Sequence, residues 1–397
     1  MPLRLLNKIR KPERHTFESL VAGNHVVLMH DGDLALAAIA SAIETAEHEI
    51  LLEMYWFASD RIGKKIADLL EKKARAGVDI KILYDAVGSW ETDPRMFEQL
   101  RDAGCQVKEY HPVYAWRRRF KLSLINYRDH RKILVVDNGI GITGGMNICD
   151  LWTKGEDGSA GWRDDAIQIK GPAVTQLRDV FFETWSGQSE STSLGTRDEQ
   201  EHVQSTVAAQ DFAAHTCSVA VLANRHRGHK GAIRRAYLNK IRSAKTFIYI
   251  SNSYFIPDRH ICRALAQAVR RGVDVRVLVP AVSDVPAVYY ASRRMFGWLL
   301  NHGIQIYLWA GGVLHAKTAV IDAHWSTIGT HNLDHRSWYH NLEVNVAVED
   351  ENVGRAMMAC FHRDLENSES ILLENWRFRP LLVRLVERFF YAFRWLL

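Results

Sequence analysis

Residues 130–137 read HRKILVVD, and residues 315–322 read HAKTAVID. Each is an apolar run of strand length that opens on a histidine and a lysine and closes on an aspartate. The three polar types fall at identical offsets, 185 residues apart. On an extended strand residues i and i+2 share a side, so His130 faces with Lys132 and His315 with Lys317. Asp137 and Asp322 stand at an odd offset. They are candidate catalytic carboxylates, and equally well placed to brace the turn that follows.

Outward from these stretches the chain repeats itself. GGMN (144–147) and GTHN (329–332) begin seven residues past each aspartate. Their small residues permit close backbone approach to a ligand, and Asn147 and Asn332 offer amide donors beside it. Upstream, EKKARAGVDIKILYD (71–85) parallels AQAVRRGVDVRVLVP (266–280), each a helix end, a glycine stop and a strand. AEHEILLEMYWF (46–57) parallels AKTFIYISNSYF (244–255), and DDAIQI (164–169) parallels LEVNVAV (342–348). Alternating helices and strands predict an α/β protein of two similar domains, each a central mixed sheet flanked by helices. The polar stretch 186–204 reads as a linker between a domain over 1–185 and another over 205–365, with a separate segment at 376–397.

The chain has 397 residues, 47% apolar and 24% charged, which suits two packed domains. A net charge of +5 favours an anionic partner without choosing between nucleic acid and lipid. The cysteines, Cys105, Cys149, Cys217, Cys262 and Cys360, are scattered and odd in number, which speaks against a disulfide framework or a zinc site. The N-terminal stretch has no signal-peptide pattern. The longest run without Asp, Glu, Lys or Arg, Met295 to Ala316, is too interrupted by Gly, Asn, His and Gln to make a good membrane span.

Two lysines and two asparagines make a ring of donors suited to phosphate oxygens. Two histidines supply a nucleophile and an acid–base partner across a symmetric cleft. No HExxH, cysteine cluster or acidic box is present, so the chemistry is expected to need neither metal nor cofactor.

The duplicated pattern resembles the phospholipase D superfamily, whose signature runs HxKxxxxDxxxxxxGSxN. The signature serine is replaced here by Gly145 and Thr330. LEMYWF, NYRDHRK and GTHNLDHRSWYHNLE make the resemblance closest to bacterial cardiolipin synthases, in a short form without N-terminal spanning helices. It implies two phospholipase D-like domains packed sheet against sheet, with the active site at their interface. It further implies that His130 attacks phosphorus, that His315 serves as acid and then base, and that Lys132, Lys317, Asn147 and Asn332 hold the phosphate. A supporting carboxylate is implied for each histidine, with Asp165 fitting in the first half and Glu343 in the second.

On this resemblance the activity is phosphatidyl transfer between two phosphatidylglycerol molecules, releasing glycerol. Phosphatidylethanolamine is an alternative acceptor or donor, and no nucleic-acid partner is expected. The place of action would be the cytoplasmic side of the cell membrane, as a peripheral protein, monomeric or oligomeric. A phospholipase D or nucleic-acid phosphodiesterase of the same superfamily is the alternative enzyme, and a non-catalytic membrane-binding protein the alternative class. Two stretches could form an apolar mouth: the basic and aromatic 115–128, and 284–300, which reads equally as a core helix. The segment 376–397 predicts one helix from Pro380 with a broad apolar face and Arg384, Glu387, Arg388 and Arg394 off it. Such a helix lies in a membrane interface, docks on the second domain or mediates a dimer.

Overall fold

The computed structural model describes residues 19–113, 126–155, 158–187, 216–224 and 231–396. The first half runs β1 (Val21–Met29), α1 (Gly32–Thr45), β2 (Glu49–Met54), α2 (Arg61–Arg75), β3 (Asp79–Asp85), α3 (Pro94–Asp102), β4 (Gln106–Tyr110), β5 (Lys132–Val136), β6 (Ile140–Gly144), β7 (Ala166–Lys170) and α4 (Ala173–Gly187). The second runs β8 (Cys217–Asn224), α5 (Ala232–Ser243), β9 (Phe247–Asn252), α6 (Arg259–Arg270), β10 (Asp274–Val282), α7 (Pro286–Asn301), β11 (Gln305–Val313), β12 (Lys317–Ile321), β13 (Trp325–Gly329), α8 (His335–Tyr339), β14 (Glu343–Glu349) and α9 (Glu351–Glu366). β15 (Ser368–Ser370), α10 (Leu373–Arg377) and α11 (Leu381–Ala392) follow.

Local chemistry explains the repeated helix–strand unit. Asp60 and Asp258 cap α2 and α6, accepting from the first-turn amides of Gly63 and Ile261. Gly77 and Gly272 stop the same helices at φ 95° and 88°, a region that costs other residues a clash.

The strands of the first half order as β1-β7-β6-β5-β2-β3-β4 and those of the second as β8-β14-β13-β12-β9-β10-β11, with β15 added at the outer edge. The two orders are the same, strand for strand. β2, β3 and β4, and likewise β9, β10 and β11, pair in parallel and the rest antiparallel, so each sheet is mixed as expected. β1 and β8, which the sequence reading did not identify, pair with each other and join the sheets at one edge. One apolar core lies between the sheets and draws on both halves: Leu51, Ile133 and Ile167 from one, Tyr249, Val320 and Val346 from the other.

The two motif aspartates are not part of the histidine site. Asp137 and Asn138 both sit at φ 49°, and Asp322 and Ala323 at φ 53° and 52°, the left-handed pair of a tight turn within a three-residue hairpin loop. The Asp137 carboxylate accepts from the amides of Glu47, His48 and Glu49 at 2.8, 2.8 and 2.7 Å. Asp322 does the same for Lys245, Thr246 and Phe247 at 2.8, 2.8 and 3.0 Å. Each aspartate therefore ties a hairpin to the start of the neighbouring strand, on the order of 20 Å along the chain from its histidine. Asp137→Ala should cost about 2–3 kcal/mol of stability by leaving three amides without their charged acceptor. Its kcat at permissive temperature should stay within about twofold of the parent's; urea unfolding and steady-state rates measured together check both.

The end of the chain also departs from expectation. The helix itself starts where expected, α11 following Pro380, but it packs on α7 with Phe390 stacked on Tyr290 at 5.8 Å. Glu387, expected on the outer polar side, is 1% exposed and meets Arg379 and Arg293. Val386 and Phe390 turn partly inward, while Leu381, Leu382, Leu385 and Phe389 face out. Docking on the second half is thus what the structure displays, with an apolar face left over. The stretch 284–300 forms α7, whose Val288, Ala291, Phe296 and Leu299 are buried, so the core-helix reading of it holds. Most of 115–128, and of the linker 186–204, lies outside the described residues. Arg128, read as one of the surface basic groups, is 2% exposed and sits 3.5 Å from Asp85.

Candidate active site

Both motif histidines lie just before their central strands, where a short parallel bridge reaches across to the other half. The His130 amide donates to Leu342 O at 3.0 Å, and the Leu342 amide donates to Arg128 O at 2.9 Å. Symmetrically, the Arg163 amide donates to Val313 O at 2.9 Å and the His315 amide to Arg163 O at 2.8 Å. These bridges set each histidine beside a carboxylate of the opposite half. His130 Nδ1 lies 3.1 Å from Glu343 Oε2, and His315 Nδ1 lies 2.8 Å from Asp164 Oδ2.

Glu343 is thus at the site as expected, but it serves the histidine of the other half. Asp165 is not at the site. Its carboxylate meets His30 at 2.8 Å and Arg163 at 2.9 Å, and Arg163 also grips Asp364 at 2.8 and 3.0 Å. The reason is strand register. Ala166 pairs with Gly144, and Asn345 pairs with the equivalent Gly329, so Asp164 is the counterpart of Glu343. The alternation carried that signal: Ile167 and Ile169, like Val344, Val346 and Val348, face the shared core, and Asp165 falls on their side of the strand.

Lys132 and Lys317 are buried and donate to the carbonyls of His130 and His315, the first at 2.9 Å. Asn147 Oδ1 accepts from the Trp56 amide at 3.2 Å, and Asn332 Oδ1 from Ser253 Oγ at 2.9 Å. With the oxygens anchored, each amide NH2 is the end left to offer a ligand. Tyr55 packs edge-on to His130 with centroids 5.0 Å apart, and Tyr254, at the position equivalent to Trp56, faces His315 at 6.5 Å. Neither tyrosine, nor Trp152 and Trp162 beside His315, was identified from sequence. Arg131, between the motif's histidine and lysine, was also missed.

The replaced signature serine has a geometric account. A Cβ on Gly145 would fall 2.3 Å from Asp164 Oδ1, so the carboxylate occupies the space a side chain would need. In the other half Thr330 coexists with Glu343 and donates to its Oε2 at 2.5 Å.

The charges differ accordingly. Burial would raise Glu343, but His130 beside it and the Thr330 hydroxyl prevail and hold it at about 2. Burial pushes Asp164 up to about 7, with Lys317 opposing and Asp165 adding to the rise. Burial and then Lys132 lower His130, with Glu343 opposing; burial and then Lys317 lower His315 further. Burial takes Lys132 down to about 7 and Lys317 to about 8. His130 also feels the charge of Lys317, and His315 that of Lys132, so the two triplets act on one another across a single site. Among the described residues no group of three or more His, Cys, Asp or Glu is arranged to hold a metal.

Two sheets of identical order, each contributing a His–Lys–Asn set to one interface, define a duplicated phospholipase D-type protein. The family model "Cardiolipin synthase, PLD-like domain" matches residues 39–185 and 237–365. A cardiolipin synthase of Geobacillus sp. (strain WCH70) is 36% identical over 91% of this chain and 70% of its own length. Cardiolipin synthase 2 of Staphylococcus epidermidis is 34% identical over 93% and 73%. The chain belongs to the cardiolipin synthase family of the phospholipase D superfamily. In fold it is similar to phosphatidylserine synthase of Haemophilus influenzae Rd KW20, with TM-score 0.68 at 15% identity over 96% of this chain and 98% of that one.

Proposed function

We propose that the protein makes cardiolipin by moving a phosphatidyl group from one phosphatidylglycerol to the free glycerol hydroxyl of another. His130 Nε2 attacks phosphorus while the P–O bond to the departing glycerol breaks, and His315 gives that oxygen its proton. The acceptor hydroxyl then returns a proton to His315 as its oxygen displaces His130 from phosphorus. Lys132, Lys317, Asn147 and Asn332 hold the non-bridging oxygens throughout.

The observation that carries this reading is the crossed bracing of the histidines by unlike carboxylates. Glu343, ionised, accepts from Nδ1 of neutral His130 and leaves its Nε2 lone pair bare, as a nucleophile requires. The His315–Asp164 pair holds one more proton below about pH 7, which suits the group that protonates a leaving alcohol. The names of the relatives support the lipid class. Action as a peripheral protein on the cytoplasmic face is part of this proposal; among the described residues no helix is long and apolar enough to cross a membrane.

Mass spectrometry of products from labelled phosphatidylglycerol vesicles tests it. Cardiolipin with one glycerol per turnover is expected. Phosphatidic acid alone would make the protein a hydrolase, and cleavage of oligonucleotides without lipid turnover would place it with the nucleic-acid phosphodiesterases. Adding phosphatidylethanolamine shows whether it enters as donor or acceptor.

The charges also set a pH profile. On a short-chain soluble diester, kcat/KM should be bell-shaped. It should fall above about pH 7, where the His315–Asp164 pair loses its proton and Lys132, also brought to about 7, loses its charge. It should fall on the acid side only below 6.5, because His130 is held below that ordinary value. Asp164→Asn should displace the alkaline limb and leave the acid limb in place; movement of both limbs, or of neither, would contradict the assignment.

A further inference from the structure

Away from the histidines, α7, α10 and α11 enclose a cavity of about 420 Å³. Its walls carry five arginines, Arg294, Arg377, Arg379, Arg384 and Arg388, against one carboxylate, Glu387. Arg379 closes on Glu387, and Arg377 donates only to the neutral Asn301 at 2.9 Å. Among the described residues Arg294, Arg384 and Arg388 have no ion-pair partner. Four cationic groups therefore converge on one opening without a counter-charge, beside the indoles of Trp298 and Trp376.

The helix that supplies two of them has an unusual outer surface. At 100° per residue, Leu381, Leu385, Phe389, Leu382 and Phe393 form one continuous stripe, and Arg384 and Arg388 run along its border nearest the cavity. Leu381 and Leu382 are 71% and 72% exposed, and Phe378 just before them 88%. An aqueous surface does not favour such a stripe, and the arginine border matches the headgroup level of a bilayer. The inner side of the same helix reaches toward the site: Phe390 and Tyr391 pack on the cluster of Ile256, Val288 and Ala291, against which Tyr254, facing His315, also packs.

We propose that this cavity binds the phosphate headgroup of an anionic phospholipid, and that the bound lipid seats the α11 stripe in the bilayer beside the catalytic cleft. The site is separate from the histidines and does not depend on their chemistry. The lipid phosphate accepts from Arg384 and Arg388 at the border while its acyl chains continue along Leu381, Leu385 and Phe389.

The test uses the full chain and sedimentation with vesicles of phosphatidylcholine, with or without 30 mol% phosphatidylglycerol as the probe. The variant Arg384→Ala/Arg388→Ala removes two exposed groups that support no fold contact. A charge-matched control, Arg263→Ala/Arg270→Ala, removes two exposed arginines of α6. The cavity variant should bind phosphatidylglycerol vesicles about 30-fold more weakly, and the control within about threefold of the parent. Leu385→Gln/Phe389→Gln should weaken binding to both vesicle types. Equal losses in cavity variant and control would mean unspecific attraction and overturn the proposal, as would no loss in either. Release of the parent protein from vesicles by millimolar inorganic phosphate at constant ionic strength would reassign the cavity to free phosphate. Hydrolysis of a soluble short-chain diester by the cavity variant should match the parent. If no variant or parent turns over any diester, the proposed reaction fails while the binding result still stands.

Discussion

His130→Ala should lower phosphatidyl transfer at least about 10⁴-fold and leave no covalent intermediate, because among the described residues no other group is placed to replace an attacking imidazole at that point. His315→Ala should fail differently. With phosphatidylglycerol the glycerol must leave as an alcohol, and without His315 it has no proton donor. With a short-chain p-nitrophenyl diester the leaving group needs no proton, so His315→Ala should give one burst equivalent of nitrophenol and then stall. The protein, denatured in detergent at alkaline pH to spare the acid-labile P–N bond, should carry the substrate phosphorus on His130. A burst from His130→Ala, with the adduct on His315, would exchange the two roles. The asymmetry between Glu343 and Asp164 makes that exchange the less favourable arrangement, since the ionised carboxylate lies against His130 and the proton-holding one against His315.

The second large effect concerns Arg131, which lies between the two catalytic candidates but points away from them. It is 1% exposed and joins the halves: Nη1 donates to Thr184 Oγ1 and Nη2 to Asn224 O, both at 2.7 Å, and Nε to Glu343 O at 3.4 Å. Glu53 Oε1 lies 3.8 Å from it, and neither oxygen of Glu53 accepts a hydrogen bond among the described residues. Burial and the nearby Asp129 raise Glu53 well above its ordinary value, and Arg131 opposes them. Arg131→Ala should therefore cost roughly 3–5 kcal/mol, as a buried pair loses one member and the carbonyls of Glu343, Val180 and Asn224 lose their donor. Glu53→Ala on top of it should restore part of the loss, because Asp129 is then the one buried carboxyl left beside the vacated guanidinium site instead of two. Urea unfolding of the three variants measures this. A loss under about 1 kcal/mol for Arg131→Ala would show that the interface does not depend on it. The corresponding residue of the second motif is Ala316, so among the described residues this joint accompanies His130 and has no counterpart at His315.

What lay within a few residues along the chain could be read directly. The duplicated triplets, the glycine stops, the mixed α/β halves and the grouping of His130, Lys132, His315 and Lys317 at one interface follow from local spacing and from the repeat. The supporting carboxylates did not, because a histidine's partner here comes from the opposite half. Bridges at Asp129–Leu342 and Arg163–Leu314 make those pairs, and no periodicity within one half encodes them. Asp164 was passed over for Asp165 because a shift of one residue on a strand exchanges its two faces, and only the pairing of Ala166 with Gly144 selects between them. Asp137 and Asp322 share the motif with the histidines, but the extended strand carries them to its far end.

The last helix shows the same division. Its sequence determined that it has an apolar side and an arginine-bordered side. Which residues would meet protein was decided by the tertiary structure, where α7 presents Arg293 and the chain folds Arg379 back. Those guanidinium groups make burial of Glu387 favourable, and they turn the leucines and phenylalanines outward. Periodicity ranks the faces of a helix by polarity, whereas a buried partner of opposite charge can reverse which face is hidden.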